Sequence, residues 1–331
     1  MNNQRWLIYA LGGGYGHFTR ALSLARAAKQ VGQTVEILFN SKLAINLIEH
    51  HLRDVPNLHL TPISPELSKD QVARLINDRL LTQTNYRVLI VDTFLRGLGG
   101  ELKYILPQLK VPKILVHRDL NPKYLSSFDS TRAVNLFDQI LIPGESAHFD
   151  THKLSYKTPP WLLCGPGEVL TSQEARQALR VPTEDKRSIV AFMGSGTQAE
   201  IAQSLEYAVA IETQFPQLNI RKLVLGHDAE HSVAWPALRV LTAIDLLICS
   251  GGYNTVHEAR ATKTPFLAFP QPRLYDQQAK RLDAHETVET FAEVIAACAH
   301  LEARQSRRND VSLNYINGAE AAVSKIQEIS L

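Results

Sequence analysis

Between Asp245 and Gln278 the chain reads DLLICSGGYNTVHEARATKTPFLAFPQPRLYDQQ, and this stretch restricts the fold more than any other. The apolar run Leu246–Cys249 has the length of a buried parallel strand. It breaks at Ser250-Gly251-Gly252 and restarts at once as a helix through Ala261. Pro265 then opens a second strand, Phe266 to Phe269, and Pro270 and Pro272 lead into Asp276-Gln277-Gln278. Strand, glycine turn and helix start together make an anion site. The first N–H groups of the helix have no intrahelical partner, and the dipole adds positive charge there. A phosphate or diphosphate is the natural guest.

The rest of the chain repeats this grammar. Arg5 to Leu11 reads as a strand, followed by Gly12-Gly13-Gly14-Tyr15-Gly16-His17 and a helix from Phe18 to Val31. Further strands are expected at Thr34–Phe39, Leu58–Ile63, Val88–Thr93, Lys113–His117 and Gln139–Ile142, with a helix at Leu43–Leu52. Punctuation thickens around Thr158-Pro159-Pro160 and Gly165-Pro166-Gly167, which marks a linker. Beyond it, Thr171-Ser172-Gln173-Glu174 is a capping box. Ser188–Met193 is a strand that turns at Gly194-Ser195-Gly196 into a helix from Thr197 to Gln214, and Arg221–Gly226 is another strand. The remainder, from about Arg281, reads as helical. Strands alternating with helices mean βαβ units and parallel sheets, with sites at the carboxyl ends of the strands. The expected architecture is α/β: two Rossmann-like domains with parallel sheets facing a cleft. The first covers 1–165 and the second 166–331, the last helix packing back on the first.

Composition narrows the function classes. At 331 residues the chain exceeds one ordinary core, which agrees with two domains. A net charge of +2 without a Lys/Arg block argues against a nucleic-acid partner. Cys164, Cys249 and Cys298 are far apart and form no zinc-ligand spacing. No apolar run nears the roughly 20 residues of a membrane span, and a cytoplasmic location is expected. A peripheral contact at the inner face of the membrane rests on Leu95, Leu98, Leu102, Ile105 and Leu106 among Arg96, Lys103 and Lys110. That pattern reads either as an amphipathic helix lying on lipid or as a buried helix with a basic rim.

The glycine loops exclude two common readings. A dinucleotide fingerprint needs glycine where His17 stands and an acid where the second strand ends in Asn40. A P-loop needs Gly-Lys-Ser/Thr, which no loop here has, and the chain contains no Asp-x-Asp for a metal-held nucleotide sugar. His17 falls at a helix start, where the dipole disfavours an imidazolium and the ring is able to accept a proton. It could equally bond a backbone group there. Glu258 has two readings as well: the glutamate of a Thr255–Glu258 capping box, or a carboxylate reaching ribose hydroxyls of a nucleotide whose diphosphate lies on Gly251 to Thr255. Ser195 and Gly196 offer a second phosphate contact or a plain turn, and Asp276 and Gln277 bind ligand or cap the next helix. Asp92 and Arg118 end first-domain strands and should face the site.

Two motifs then carry a resemblance. Gly14-Tyr15-Gly16-His17-Phe18-Thr19-Arg20-Ala21-Leu22 resembles the G-x-G-H-x-x-R-A-L loop of GT-B glycosyltransferases. Ser250-Gly251-Gly252-Tyr253-Asn254-Thr255-Val256-His257-Glu258-Ala259, then Pro265 and Asp276-Gln277, resembles that fold's donor signature G-G-x-x-T-x-x-E-A…P…D-Q. The pair is most similar to the family 28-like group that adds N-acetylglucosamine to lipid-linked peptidoglycan precursors. The resemblance implies an inverting, metal-independent transferase with no cofactor, the nucleotide sugar (a UDP-sugar first) being substrate. It implies His17 as the general base for the acceptor hydroxyl, or as a group acting near it. On the donor side it implies Gly251, Gly252, Asn254 and Thr255 at the diphosphate, Glu258 at the ribose, and Asp276 and Gln277 at the sugar, while Ser195 and Gly196 stay a second donor contact offered by their turn alone. The acceptor side takes Gly13, Gly14, Gly16, Asp92 and Arg118. Thr264 replaces the family's glycine before Pro265, and Tyr15 a small residue of the first loop, so the family's lipid-linked acceptor is not carried over. The acceptor is an unidentified hydroxyl, lipid- or glycan-linked acceptors included. A nucleotide-sugar hydrolase, a non-hydrolysing epimerase and a non-catalytic nucleotide-sugar-binding protein are the alternatives.

Overall fold

The computed structural model describes residues 5–12, 14–41, 48, 52, 55–83, 85–194, 197–224, 235–304 and 312–330. The chain divides into two compact units. The first comprises Met1–Leu162, Leu274–Asp276 and Asn317–Leu331; the second comprises Leu163–Arg273 and Gln277–Ile316.

The first unit is a seven-stranded parallel sheet. Its elements run β1 (Arg5–Tyr9), α1 (Tyr15–Gln30), β2 (Val35–Phe39), β3 (Leu58–Pro62), α2 (Lys69–Leu81), β4 (Tyr86–Asp92), β5 (Lys113–Val116), β6 (Gln139–Pro143) and β7 (Ser155–Thr158). The strand order is β3-β2-β1-β4-β5-β6-β7. Central strands read as continuous apolar runs because both faces are covered: Trp6, Leu7, Ile8 and Tyr9 are all buried, as are Val88 to Val91. β7 has the sequence Ser-Tyr-Lys-Thr and lies at the sheet edge, half exposed, so it lacks an apolar run to betray it. The expected helix at 43–52 falls almost wholly outside the described residues.

The stretch 95–110 corrects an expectation. It forms turns and a single 3-10 turn, Leu106–Gln108, rather than a helix. Gly97 and Gly100 take left-handed φ values of 81° and 92°, which interrupt a right-handed helix. Leu95, Leu102, Ile105 and Leu106 turn into the core, so the amphipathic apolar-basic face expected there does not exist. No helix among the described residues is long and apolar enough to cross a membrane.

The second unit holds α3 (Ser172–Ala178), β8 (Ile189–Met193), α4 (Gln198–Gln214), β9 (Asn219–Lys222), β10 (Leu246–Ser250), α5 (Tyr253–Ala261), β11 (Phe266–Phe269) and α6 (Phe291–Arg304). Its four strands are parallel in the order β11-β10-β8-β9. Thr171 caps α3 in the capping box its sequence encodes, contributing about 1 kcal/mol. β9 begins two residues before the expected strand and ends at Lys222; Leu225 and Gly226 are outside the described residues.

The final helix, α7 (Gly318–Ser330), belongs to the first unit. Asn317 fastens its start, its side chain accepting from Leu162 N at 3.1 Å and donating to Leu162 O at 2.8 Å. A Cβ on Gly318 would overlap the Pro159 carbonyl, so only glycine lets the helix dock this closely. Ala319, Ala322, Val323 and Ile326 form its buried stripe at helical spacing.

Candidate functional site

In the first unit strand order reverses between β1 and β4, the position where open parallel sheets bind ligands beyond their carboxyl ends. The β1–α1 turn delivers His17 there, and β4 delivers Asp92. His17 lies in the first turn of α1, three residues before Arg20, so both side chains leave the same helix face. His17 Nδ1 is 2.6 Å from Asp92 Oδ2. The buried Arg20 guanidinium grips the same carboxylate with two bonds, Nε to Oδ1 at 2.7 Å and Nη2 to Oδ2 at 2.6 Å. Burial would raise the Asp92 carboxyl, but Arg20 and the bond to His17 outweigh it and hold the group well below the usual carboxylate range. Facing an ionised Asp92, the His17 Nδ1 carries the proton it donates, and in the neutral ring this leaves Nε2 as an acceptor.

The surroundings are built for this pair. Thr93 adopts φ +71°, an uncommon conformation for a β-branched residue, and accepts a hydrogen bond from Arg20 at 3.0 Å. The tight turn closes with Phe94 N donating to Asp92 O at 2.9 Å and lays Phe94 against His17, ring centroids 5.2 Å apart. Gly12 passes so near the imidazole that a Cβ would overlap it. Asn40, where a dinucleotide fold would place an acid, instead accepts from Gly12 N at 2.7 Å and pins the loop. Gly14 precedes α1 in extended conformation and Gly16 lies within its first turn, both with open space around them. Gly13 lies outside the described residues. Tyr15 is half buried, which pushes its hydroxyl up to about 12.

Arg118 follows β5 and reaches two carboxylates, Glu145 at 3.2 Å and Asp276 at 3.4 Å. Asp276 thus belongs to the first unit, whereas its neighbour Gln277 belongs to the second, at the N-cap of a four-residue helical turn, Gln278–Arg281. His117, fully buried, is pushed down to about 3, by burial first and by His148 and Arg118 next.

In the second unit the order reverses between β8 and β10, and both glycine turns leave the sheet there. A cavity of about 40 Å³ opens between these strand ends, lined in part by Gly194, Glu200, Ser204, Ser250 and Gln271. Gly252 is the N-cap of α5 and contributes no side-chain cap. A Cβ on Gly251 would press on Leu282 and Gln278 at 3.1 and 3.2 Å. Thr255 sits inside the helix, its hydroxyl 3.5 Å from the Met193 sulfur, so the Thr255–Glu258 capping box does not form. Glu258 is 7% exposed, and its carboxyl has no hydrogen-bond or ionic partner among the described residues. Burial alone pushes it up to about 8. The Asn254 side-chain oxygen is likewise buried and unpaired. Ser195 and Gly196 lie outside the described residues.

Arg20, Asn40, Phe94 and Glu145 escaped the sequence reading as site residues. Only Arg20 carried a signal, its three-residue spacing from His17. A bidentate pair on the second unit, Arg273 with Glu200 at 2.5 Å, was missed too and joins the 270–273 loop to the first turn of α4. The described residues contain one group with metal-like spacing, Asp283, His285 and Glu286; Arg260 already holds Glu286 at 2.5 and 2.9 Å.

No protein-family model matches the sequence, and no curated protein does so. Solved structures do match over essentially the whole chain. The glycosyltransferase of kitacinnamycin superposes with TM-score 0.61 at 16% identity, covering 98% of each chain. MurG of Acinetobacter baumannii gives 0.53 at 14%, covering 98% of this chain and 99% of its own. The UDP-GlcNAc 2-epimerase of Methanocaldococcus jannaschii gives 0.57 at 11%, with 98% and 99% covered. The chain therefore has the GT-B fold, two Rossmann-like units with parallel sheets. A transferase and an epimerase share it, so the fold alone does not choose between them.

Proposed function

We propose that the protein is a glycosyltransferase that moves a sugar from a nucleoside-diphosphate sugar to an acceptor hydroxyl, with inversion and without metal or bound cofactor. The observation that carries this reading is the His17–Asp92–Arg20 array. It leaves Nε2 of the neutral His17 ring as a proton acceptor at the end of a parallel sheet, with a carboxylate behind it that Arg20 keeps ionised. The acceptor O–H gives its proton to Nε2 while its oxygen bonds to the anomeric carbon. The bond from that carbon to the diphosphate breaks on the opposite side. Asp92 stabilises the imidazolium that results. Gly251 to Thr255 receive the diphosphate on the backbone N–H groups at the start of α5 and on its dipole, which serve where other enzymes use a cation. Glu258, buried and unpartnered, takes the ribose hydroxyls. Among the described residues of the first unit, none favours the lipid-linked acceptor of the resembling family over another hydroxyl.

Calorimetric titration with UDP, dTDP, GDP and their sugar conjugates tests the donor half. Selective binding of one diphosphate, lost in Glu258→Ala, is expected; binding of none sinks the reading. Sugar release from the bound donor with no acceptor present, at a rate that added acceptors do not raise, would make the protein a hydrolase that activates water with the same array.

A further inference from the structure

We propose that Arg118 is a positioning residue that orients the carboxylate of Asp276 for the sugar and sets it in one frame with the His17 base. The proposal rests on the reading of Asp276 as a sugar contact. The tripeptide Leu274–Asp276 packs with the first unit although the chain on either side belongs to the second. It is held as a fragment of strand: Leu120 and Asp276 form an antiparallel bridge, and Asn121 N donates to Tyr275 O at 3.0 Å. The Tyr275 ring meets Phe94 edge-on at 5.0 Å and Tyr124 at 5.2 Å, and Phe94 in turn lies against His17. The middle residue of the tripeptide therefore touches the wall behind the base, and the last carries the carboxylate that Arg118 holds.

Arg118 reaches two carboxylates rather than one. Glu145, at 3.2 Å, already neutralises it, and both side chains are about 10% exposed. Asp276 adds a second carboxylate at 3.4 Å that is 23% exposed. His117 beside them is kept neutral by burial. Of the two carboxylates on Arg118, that of Asp276 is the more accessible to a ligand. Such a group accepts hydrogen bonds from sugar hydroxyls, and a fixed guanidinium spares it the cost of being oriented when ligand arrives. The backbone bridge holds the main chain of Asp276, and Arg118 holds its side chain.

The test compares a nucleoside diphosphate with its sugar conjugate: UDP against UDP-N-acetylglucosamine, or the dTDP pair if wild type prefers it. Arg118→Gln should bind the diphosphate as wild type does and lose roughly tenfold in the extra affinity the sugar provides. Asp276→Asn should show the same loss, the double variant no more, and Arg118→Lys should recover part of it. Arg118→Gln strands Glu145, so Arg118→Gln with Glu145→Gln repeats the measurement if the single variant melts early. An unchanged sugar increment in these variants, or equal losses for diphosphate and conjugate, overturns the role. An unchanged increment in Asp276→Asn, or no binding of any conjugate to wild type, overturns instead the reading on which the proposal stands.

Discussion

The His17 ring occupies the space that a side chain on Gly12 would need, so the loop glycine and the histidine fit only as a pair. Gly12→Ala must push the imidazole away from Asp92 or distort the loop that Asn40 pins. The expected result is a transfer rate reduced by roughly 10–100-fold, short of the His17→Ala loss, with donor affinity unchanged. Single-turnover kinetics beside donor titration read both quantities.

His17→Ala should lower transfer by about 10²–10⁴-fold while the fold and the nucleotide affinity stay as they are. A rate within a few-fold of wild type, measured on a variant with an unchanged melting curve, would remove His17 from the reaction.

Asp92→Asn removes a counter-charge from the buried Arg20, and breaking such a pair costs about 3–5 kcal/mol. Denaturant unfolding should show it. The Asp92 carboxyl is depressed in the folded state, so its stabilising effect is present above its unfolded value, near pH 4, and fades as pH falls further toward the folded value. Wild type should lose this part of its stability in acid, and Asp92→Asn should have none of it to lose.

Glu258 has the opposite sign. Its folded value near 8 lies above the ordinary 4.5, so the free protein carries it protonated below about pH 8 and loses stability as pH rises from about 4.5 through 8. Ribose hydroxyls favour the carboxylate, and donor binding then expels a proton. Affinity should climb between pH 6 and 8 by up to about tenfold per unit, with proton release visible when buffers of different ionisation heat are compared. Glu258→Gln should flatten both the binding slope and the stability slope.

The parts of the fold that local pattern reveals most directly are those bounded by punctuation. β10, α5 and β11 read directly from 245–278 because an apolar run, two glycines and a proline mark every boundary. β7 could not be read, since an edge strand has one neighbour and no need for apolar residues. Leu95 to Leu106 misled in the other direction: its spacing fits a helix, but core packing and two left-handed glycines decide the path. The site divides in the same way. His17 and Asp92 each stood out alone, yet nothing in 75 residues of separation shows that they touch, because that depends on β4 settling beside β1. Asn40 and Phe94 have no signature at all; their roles exist only once the β1–α1 loop and the β4 turn are in place.

Recombination between related chains meets an unusual constraint here. The first unit is encoded in three pieces, with junctions after residues 162, 273, 276 and 316. A chimera joined once, near residue 163, would set one parent's Phe94 and Arg118 against the other parent's Tyr275 and Asp276. Donor-half exchange should therefore preserve the partnership only when 274–276 travels with the first unit, so those three codons are inherited with the half of the gene in which they do not lie.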